Sequence, residues 1–563
     1  MARKTLVLVG LIGALLTGTV TAQVTTLPNG VAAGDVDQTS VMLWTRSANV
    51  GQVTFEVATD SAFSQMVATL TAEVSEPLLP VKVEVTGLTA GTQYNYRATD
   101  PTGVTSSGTF RTPAELGAQT GLRFGVSGDW RGDLAPFPSI ANADERDLDF
   151  FVLHGDTIYA DYPSPAVTAG QATTLTEFRL KHDEVYSAHF GVNTLADLRA
   201  ATAVYVMIDD HEVTNDFAGG APPRSNRRFT GETANLINDA TLFENGLQAF
   251  QEYNPSRDEV YGDTGDPRTA GERRLYRYRT FGRDAALFLV DARSFRDAEL
   301  PETTELTPEA VASFEQAAFD PTRTMLGAAQ LADLQADLLA AQAAGVTWKF
   351  VMVPEPIQNI GVVNASDRFE GYAAERTALL RFIVENGISN VVFVAADIHS
   401  TFVNDLFYRE APGGVEIPVA SFEITTGAVG FDAPLGPTAI NIAAQNDLIT
   451  PQLRALFNTL PLRARDTLLT GFVNQQLAEQ GYNPVGLAGG VLDADLRQGS
   501  YLVAQTFGWT EFEIEAVTQA LTVTTYGIPG YTREAMQANS AALIAQTPSI
   551  YSQFVVQPQP QGN

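Results

Sequence analysis

Residues 151–159 read FVLHGDTIY, an apolar run that ends in Gly155 and Asp156, with Tyr159 three positions further on. A run of this length and composition is a strand buried on both faces of a parallel sheet. Glycine lets the chain turn sharply at the strand's C-terminal edge, which is where α/β sheets hold their ligands. A carboxylate and a phenol projected from one such edge are two hard oxygen donors directed at one point, an arrangement that suits a cation. Taken alone, the segment also reads as an Asp capping the next helix with a Tyr packed beside it, so the other strand ends decide.

Three of them carry the same chemistry. The strand pattern at 122–127 (LRFGVS) runs into Ser127-Gly128-Asp129-Trp130, that at 203–208 (AVYVMI) into Asp209-Asp210-His211-Glu212, and that at 390–395 (NVVFVA) into Ala396-Asp397-Ile398-His399. The chain has only five histidines, and His154, His211 and His399 all fall in these segments. A lone histidine beside a strand is ordinarily structural, but two that follow Asp at strand ends point to one shared site. His182 and His189, in a polar helical stretch, keep the structural reading.

Further strands are expected at 285–290 and 347–353. Helices are expected after Thr307-Pro308-Glu309, an N-cap with Pro at the first helical position, and over 327–344 and 372–385, where the apolar spacing is 3.6. Strands alternating with helices make 122–545 an α/β domain. Within it, 430–497 has apolar residues at helical spacing interrupted by Pro451, Pro461 and Pro484, and reads as a lid or a dimerisation insert. Segments 500–506, 512–516 and 521–526 read as strands closing a second sheet.

Ahead of this domain, 24–113 shows short alternating segments divided by turn residues, the pattern of a small all-β sandwich of fibronectin or immunoglobulin type. Trp44 and Tyr96 are its expected core, its role is structural or positioning, and 112–121 is a linker. At the N-terminus Arg3 and Lys4 precede an apolar run and small residues lead to Ala22, which reads as a signal peptide over 1–22. The expectation is a secreted protein, periplasmic or extracellular, without stable membrane insertion. The Gln/Pro-rich residues 557–563 are expected to be a disordered tail. With 35 Lys+Arg against 65 Asp+Glu the formal charge is −30, a field that repels nucleic acid and anionic membranes at long range. The absence of cysteine excludes disulfides and thiolate metal ligands.

In order, GDWR, GDTIY, DDHE and ADIH resemble the blocks of the calcineurin-like metallophosphoesterases. With a β-sandwich in front, and with RYRTFGRDAALFLVDARSFRD at 277–297 and ASFEITTGAVG from 420, the chain resembles the PhoD-type alkaline phosphatases and phosphodiesterases. The resemblance implies a four-layer αββα sandwich. It makes Asp156 the bridge between two metal positions, the first completed by Asp129, Tyr159 and His399 and the second by Asp210 and Asp397. It implies Fe(III) at the first and Ca at the other, with Mn, Mg or Zn as substitutes. Phenolate, carboxylates and imidazole suit Fe(III), and carboxylates alone suit a hard ion. Two features depart from the family: Gly128 stands near its usual Cys ligand, so that Asp129 must serve, and no His lies between His211 and His399.

The chemistry so implied is hydrolysis of phosphate mono- or diesters. Two cations about 3.5–4 Å apart bind the phosphate oxygens and activate a hydroxide for in-line attack. His211, paired with Glu212 or another acid, is the candidate proton donor, and Asn215 holds it or the substrate. The loop 222–228 (PPRSNRR) is the one dense basic patch. Arg224, Arg227 and Arg228, with Arg131 beside Asp129, either contact phosphate or pair with the surplus of acids. The partner is a small phosphate ester, with nucleic acid only as a diester substrate; the sequence sets no oligomeric state. Two alternatives stand: a non-catalytic calcium-binding surface protein, and a related metallohydrolase acting on nucleotides or sulfate esters.

Overall fold

The computed structural model describes residues 25–303, 307–361, 365–445, 449–487 and 491–560. The leader expected over 1–22 and the tail residues 561–563 lie outside the described residues. Strand Phe150–His154 pairs in parallel with Leu122–Trp130 on one side and Ala203–Met207 on the other. Its side chains alternate between two cores: Phe150 and Val152 face one, Phe151 and Leu153 the other. Burial of both faces is why this segment reads as an unbroken apolar run.

A second sheet has Ala285–Leu289, Trp348–Met352, Val391–Ala395 and Ile417–Thr425 in parallel. Arg277–Phe281 lies antiparallel at one edge, and Thr401–Tyr408 and Leu502–Val503 at the other. The two sheets meet through aromatic side chains. Phe124 stacks on Phe150 at 4.6 Å and on Phe512 at 4.8 Å, and meets Phe350 of the opposite sheet edge-on at 4.9 Å. Each such ring contributes about 1.5–3 kcal/mol of burial. On the outer face of the first sheet, helices Leu175–Tyr186 and Thr241–Tyr253 bring Phe178, Leu247 and Phe250 onto Phe151 and Val204. On that of the second, Ala328–Ala343 and Ala373–Glu385 bring Leu334, Leu338 and Leu380 onto Phe288 and Phe393. Thr307 caps helix Pro308–Ala318 by accepting from the Ala310 N–H.

Three features differ from the reading of the sequence. Strands Thr506–Ile514, Leu521–Pro529 and Ser549–Val556 extend the first sheet beside Leu122–Trp130 instead of closing the second. Their inward residues Phe512, Val523 and Phe554 continue the core between the sheets. Two of the three prolines read as interruptions begin helices instead: Pro451 opens Pro451–Thr459 and Pro461 precedes Leu462–Glu479, since the first turn needs no proline N–H, whereas Pro484 lies in the loop that follows them. Leu462–Glu479 and Leu435–Gln445 pack Leu435, Leu469 and Val473 against Ile398 and Phe402, while Phe457 of Pro451–Thr459 packs on Ile440 and Leu468. Near the C-terminus, the Gln559 N–H donates to Asn390 Oδ1 at 2.7 Å and Asn390 Nδ2 donates to the Gln559 carbonyl at 3.1 Å, so this part of the tail is held in place.

The N-terminal strands form an all-β domain that shares a sheet with the rest of the chain. Met66–Val74, Gly51–Ala58, Gln93–Thr99 and Thr105–Arg111 form their own sheet. Val31–Gly34, Ser40–Thr45 and Val81–Thr86 instead continue the first large sheet, with Gly34 in parallel register opposite Val204. Tyr96 is a core residue between these layers. Trp44 is buried on the opposite face, where its indole N–H donates to the Glu252 carbonyl at 2.8 Å and the Arg199 guanidinium lies 4.4 Å over its ring. Deleting 24–113 would therefore uncover the edge of Ala203–Met207.

Candidate metal centre

Three of the four acid-bearing strand ends deliver their side chains through an unusual backbone conformation. Asp129, Asp156, Asp397 and His399 have φ of 63°, 49°, 59° and 52°, left-handed values that non-glycine residues adopt rarely and that cluster at functional sites. Neighbouring strands hold them there: the Asp129 N–H donates to the Gly155 carbonyl at 3.3 Å and the Trp130 N–H to the Asp156 carbonyl at 2.8 Å. At Gly128, the position near which the family carries a Cys, a Cβ would lie 2.8 Å from the His154 carbonyl oxygen and 2.9 Å from the Ala396 Cβ. No side chain fits, and the neighbouring Asp129 points into the site instead.

Asp129, Asp156 and His399 each offer a ligand atom within 4.8 Å of the others, and so do Asp156, Asp210 and His211. Asp156 belongs to both groups. The Tyr159 hydroxyl lies 3.3 Å from Asp129 Oδ1 and 3.4 Å from His399 Nε2. Asp397 is outside the second compact group. The feature that brings His211 into it is a backbone contact, the His211 N–H donating to Asp156 Oδ1 at 3.2 Å.

The electrostatics are those of a cluster short of positive charge. Burial, then Asp210, Asp209, Glu212 and Asp129, push the Asp156 carboxyl well above the usual range. Burial, then Asp209 and Asp367, do the same to Asp397, and burial with Asp156 and Asp129 raises Tyr159. Asp129 Oδ2 and Asp210 Oδ1 are buried without a hydrogen-bond partner. Buried carboxylates are costly unless paired with cations or metals, so this donor set of hard oxygens and imidazole, with orphaned oxygens in two groups that share Asp156, suits bound cations.

His211 is held by Asp161, a residue the sequence reading did not single out: its Nδ1 lies 2.7 Å from Asp161 Oδ1, and Asp161 Oδ2 accepts the Asn215 N–H at 3.0 Å. Against burial, which lowers it, Asp210 and the Asp161 hydrogen bond raise the His211 pKa to about 10. Glu212, the named partner in the sequence reading, is instead a backbone clamp, accepting from the Thr157 N–H at 2.5 Å and the Asp209 N–H at 2.8 Å. The reason is alternation: His211 and Glu212 point to opposite sides of the turn. His154 faces between the sheets, its Nε2 2.9 Å from the Val394 carbonyl oxygen, and takes no part in the site.

Behind the carboxylates stands a network that sequence reasoning also missed. Arg293 meets Asp209 at 2.6 Å, Asp367 at 2.8 Å, and Glu355; Arg296 meets Glu355 at 3.1 Å and Asp367 at 2.9 Å. Arg293 and Arg296 follow the strand Ala285–Leu289, so the strand-end rule that found Asp129 and Asp156 would have found them too. Asp216 and Glu299 form a further acidic group with Asp367.

The basic residues divide. Arg131, expected at the phosphate, is engaged elsewhere: it pairs with Asp133 at 2.9 Å and with Asp432, and lies 4.8 Å over the Tyr162 ring. Arg224, Arg227 and Arg228 are exposed and make no ion pair among the described residues, so they do not serve to neutralise surplus acids. Arg227 and Arg228 line a cavity of about 490 Å³ with Asn215 and Asp161; Arg224 does not.

Hard donors converging at the C-terminal edges of two packed sheets define an α/β protein with a site suited to cations. More narrowly, it belongs to the PhoD-like phosphatase family, whose model matches residues 127–456, while that of the PhoD-like phosphatase N-terminal domain matches residues 15–114. Alkaline phosphatase D of Bacillus subtilis (strain 168) is 27% identical over 441 residues, 72% of this chain and 70% of that relative. A solved structure of PhoD superposes with a TM-score of 0.67 at 20% identity, covering 95% of this chain and 91% of that one. The chain is thus a phosphatase, which displaces the alternative of a non-catalytic surface protein. No helix among the described residues is long and apolar enough to cross a membrane.

Proposed function

We propose that this protein is a secreted phosphatase that hydrolyses phosphate mono- and diesters by attack of water at phosphorus, on a four-layer αββα scaffold fronted by an immunoglobulin-like β-sandwich. The observation that carries the reading is the pair of ligand groups sharing Asp156, each with an orphaned buried oxygen, set beside a histidine fixed by Asp161. Asp129, Asp156, Tyr159 and His399 would hold Fe(III), and Asp156, Asp210 and Asp397 would hold Ca. Bound there, the two cations supply neutralisation of phosphoryl charge and acidification of the attacking water.

The protein's own groups do the rest. His211 keeps Nδ1 on Asp161 and presents Nε2, 4.0 Å from Asp156 Oδ2 and 3.9 Å from Asp210 Oδ1, as the proton donor to the leaving oxygen. Arg227 and Arg228, without an ion pair among the described residues, would bind the negative charge of the bound ester. Secretion is supported by the basic, apolar and small-residue order of residues 1–22. The test is hydrolysis of p-nitrophenyl phosphate and bis-p-nitrophenyl phosphate before and after chelation, then with Ca or Mn added back. Turnover that chelation abolishes and metal restores is expected, and the ratio of the two rates separates monoesterase from diesterase. Turnover indifferent to chelation would overturn the reading.

A further inference from the structure

On the phosphoesterase reading, on which this inference rests, His211 sets where the leaving group departs. Its Nδ1 is held by Asp161 and its Nε2 faces the shared carboxylates, so an oxygen protonated there leaves past the imidazole. Beside that ring stands Tyr162, edge-on at 74° with centroids 5.6 Å apart. Tyr162 is half-buried and lines the cavity of about 490 Å³ together with Ala218, Asn226, Arg227, Arg228 and Glu299. Arg131 and Phe431 do not line it. They back the Tyr162 ring, the guanidinium at 4.8 Å and Phe431 at 5.7 Å, nearly perpendicular. Arg131 is itself fixed by Asp133 and Asp432, and the Lys181 ammonium grips the Tyr162 carbonyl. The result is an aromatic ring braced by its neighbours and open to a cavity.

The geometry points to Tyr162 as a specificity-determining residue, the platform on which a planar ring in the leaving group lies, with Arg227 and Arg228 in the same cavity to meet an anionic or electronegative substituent on that ring. The favoured substrates are then phosphoesters of ring-bearing alcohols or phenols over those of small aliphatic alcohols. In the step, water oxygen bonds to phosphorus, the bond from phosphorus to the ester oxygen breaks, and the proton held at His211 Nε2 passes to that oxygen as the ring leaves over Tyr162; one proton of the water stays on the phosphate product and the other restores His211. Aromatic faces prefer offset or edge-to-face partners and add a modest increment beyond burial.

The experiment compares kcat/KM on p-nitrophenyl phosphate and glycerol 2-phosphate for the metal-loaded full chain, Tyr162→Leu and Tyr162→Phe. The Leu variant is expected to lose about fivefold on the aryl ester, chiefly through KM, with little change on the glycerol ester and unchanged metal content; the Phe variant should keep both rates. An unchanged aryl-to-glycerol ratio, or equal losses on both esters, would overturn the role of Tyr162 while leaving the phosphoesterase reading intact. Loss of metal from the Leu variant would overturn it as well, by making Tyr162 a support of the metal centre. A wild-type chain that cleaves neither ester would bring down the phosphoesterase reading and this inference with it.

Discussion

At the seam between the N-terminal strands and the rest of the chain, Asp35 is buried among Arg257, Arg277 and Arg279; at the sheet edges, Asp129, Asp156 and Asp210 are buried among one another. Against burial, which raises it, the three arginines bring Asp35 down to about 2, whereas Asp156 is driven well above the carboxylate range. In the first cluster folding itself delivers the cations. In the second the nearest buried guanidinium, that of Arg293, is engaged by Asp209, Glu355 and Asp367 and reaches Asp210 only at 3.9 Å, and with His211 as the one cation beside Asp156 among the described residues most of the positive charge is left to come from outside. An acid cluster that the fold supplies with cations is a joint; one that it leaves short of them is a candidate binding site.

The sharpest challenge to this contrast is Asp156→Asn, which takes a ligand from both groups at once. Elemental analysis should show loss of bound cations, and kcat on phosphate esters should fall about a thousandfold or more. His211→Ala comes next: turnover should fall by about 10²–10⁴ while metal content stays at the wild-type level, since removing the proton donor leaves the carboxylates in place. At the other cluster, Asp35→Asn leaves three arginines facing a neutral side chain. Urea unfolding should show a loss of about 3–5 kcal/mol, with the folded fraction keeping its metal.

The smallest expected effect comes from the basic side. His182 is buried without a partner for either ring nitrogen, and burial, then Arg199, lower its pKa to about 3. Its folded pKa lies below its unfolded one, so its contribution to stability is present above pH 6.5 and is lost as pH falls toward 3. His182→Phe should therefore flatten the acid limb of the stability curve by up to about 1.4 kcal/mol per pH unit between pH 6 and 4. An unchanged slope would mean that His182 keeps a proton partner when folded.

Much of this was legible in the chain because buried parallel strands write themselves as apolar runs, and the residues just after each run sit at one edge of the sheet. Leu122–Trp130, Phe150–His154, Ala203–Met207 and Val391–Ala395 were read close to their observed bounds for that reason. Asp161 was not, because it comes after Tyr159 in a loop whose direction no periodicity records; only the fold turns it to His211. Nor was the fusion of the N-terminal strands with the first sheet, which rests on a parallel register between Gly34 and Val204. Alternation marks a strand but does not name its partner. The prolines at 451 and 461 were read as interruptions because proline forbids a helix interior and favours a helix start, and spacing alone does not separate the two.

The Asp156 cluster needs added cations to be stable, and thermal unfolding at pH 8 with and without chelator measures that need. Burial raises Asp209 to about 6 and Glu212 to about 7, and holds Asp156 and Asp397 well above the usual carboxylate range. Carboxyls with raised folded pKa values stabilise below their unfolded values and lose that stability as pH rises through the folded ones. The metal-free protein should therefore melt several degrees lower at pH 8 than the untreated protein, with the gap narrowing toward pH 5 and closing when metal is returned. Coincident melting curves at pH 8 with and without chelator would contradict the account.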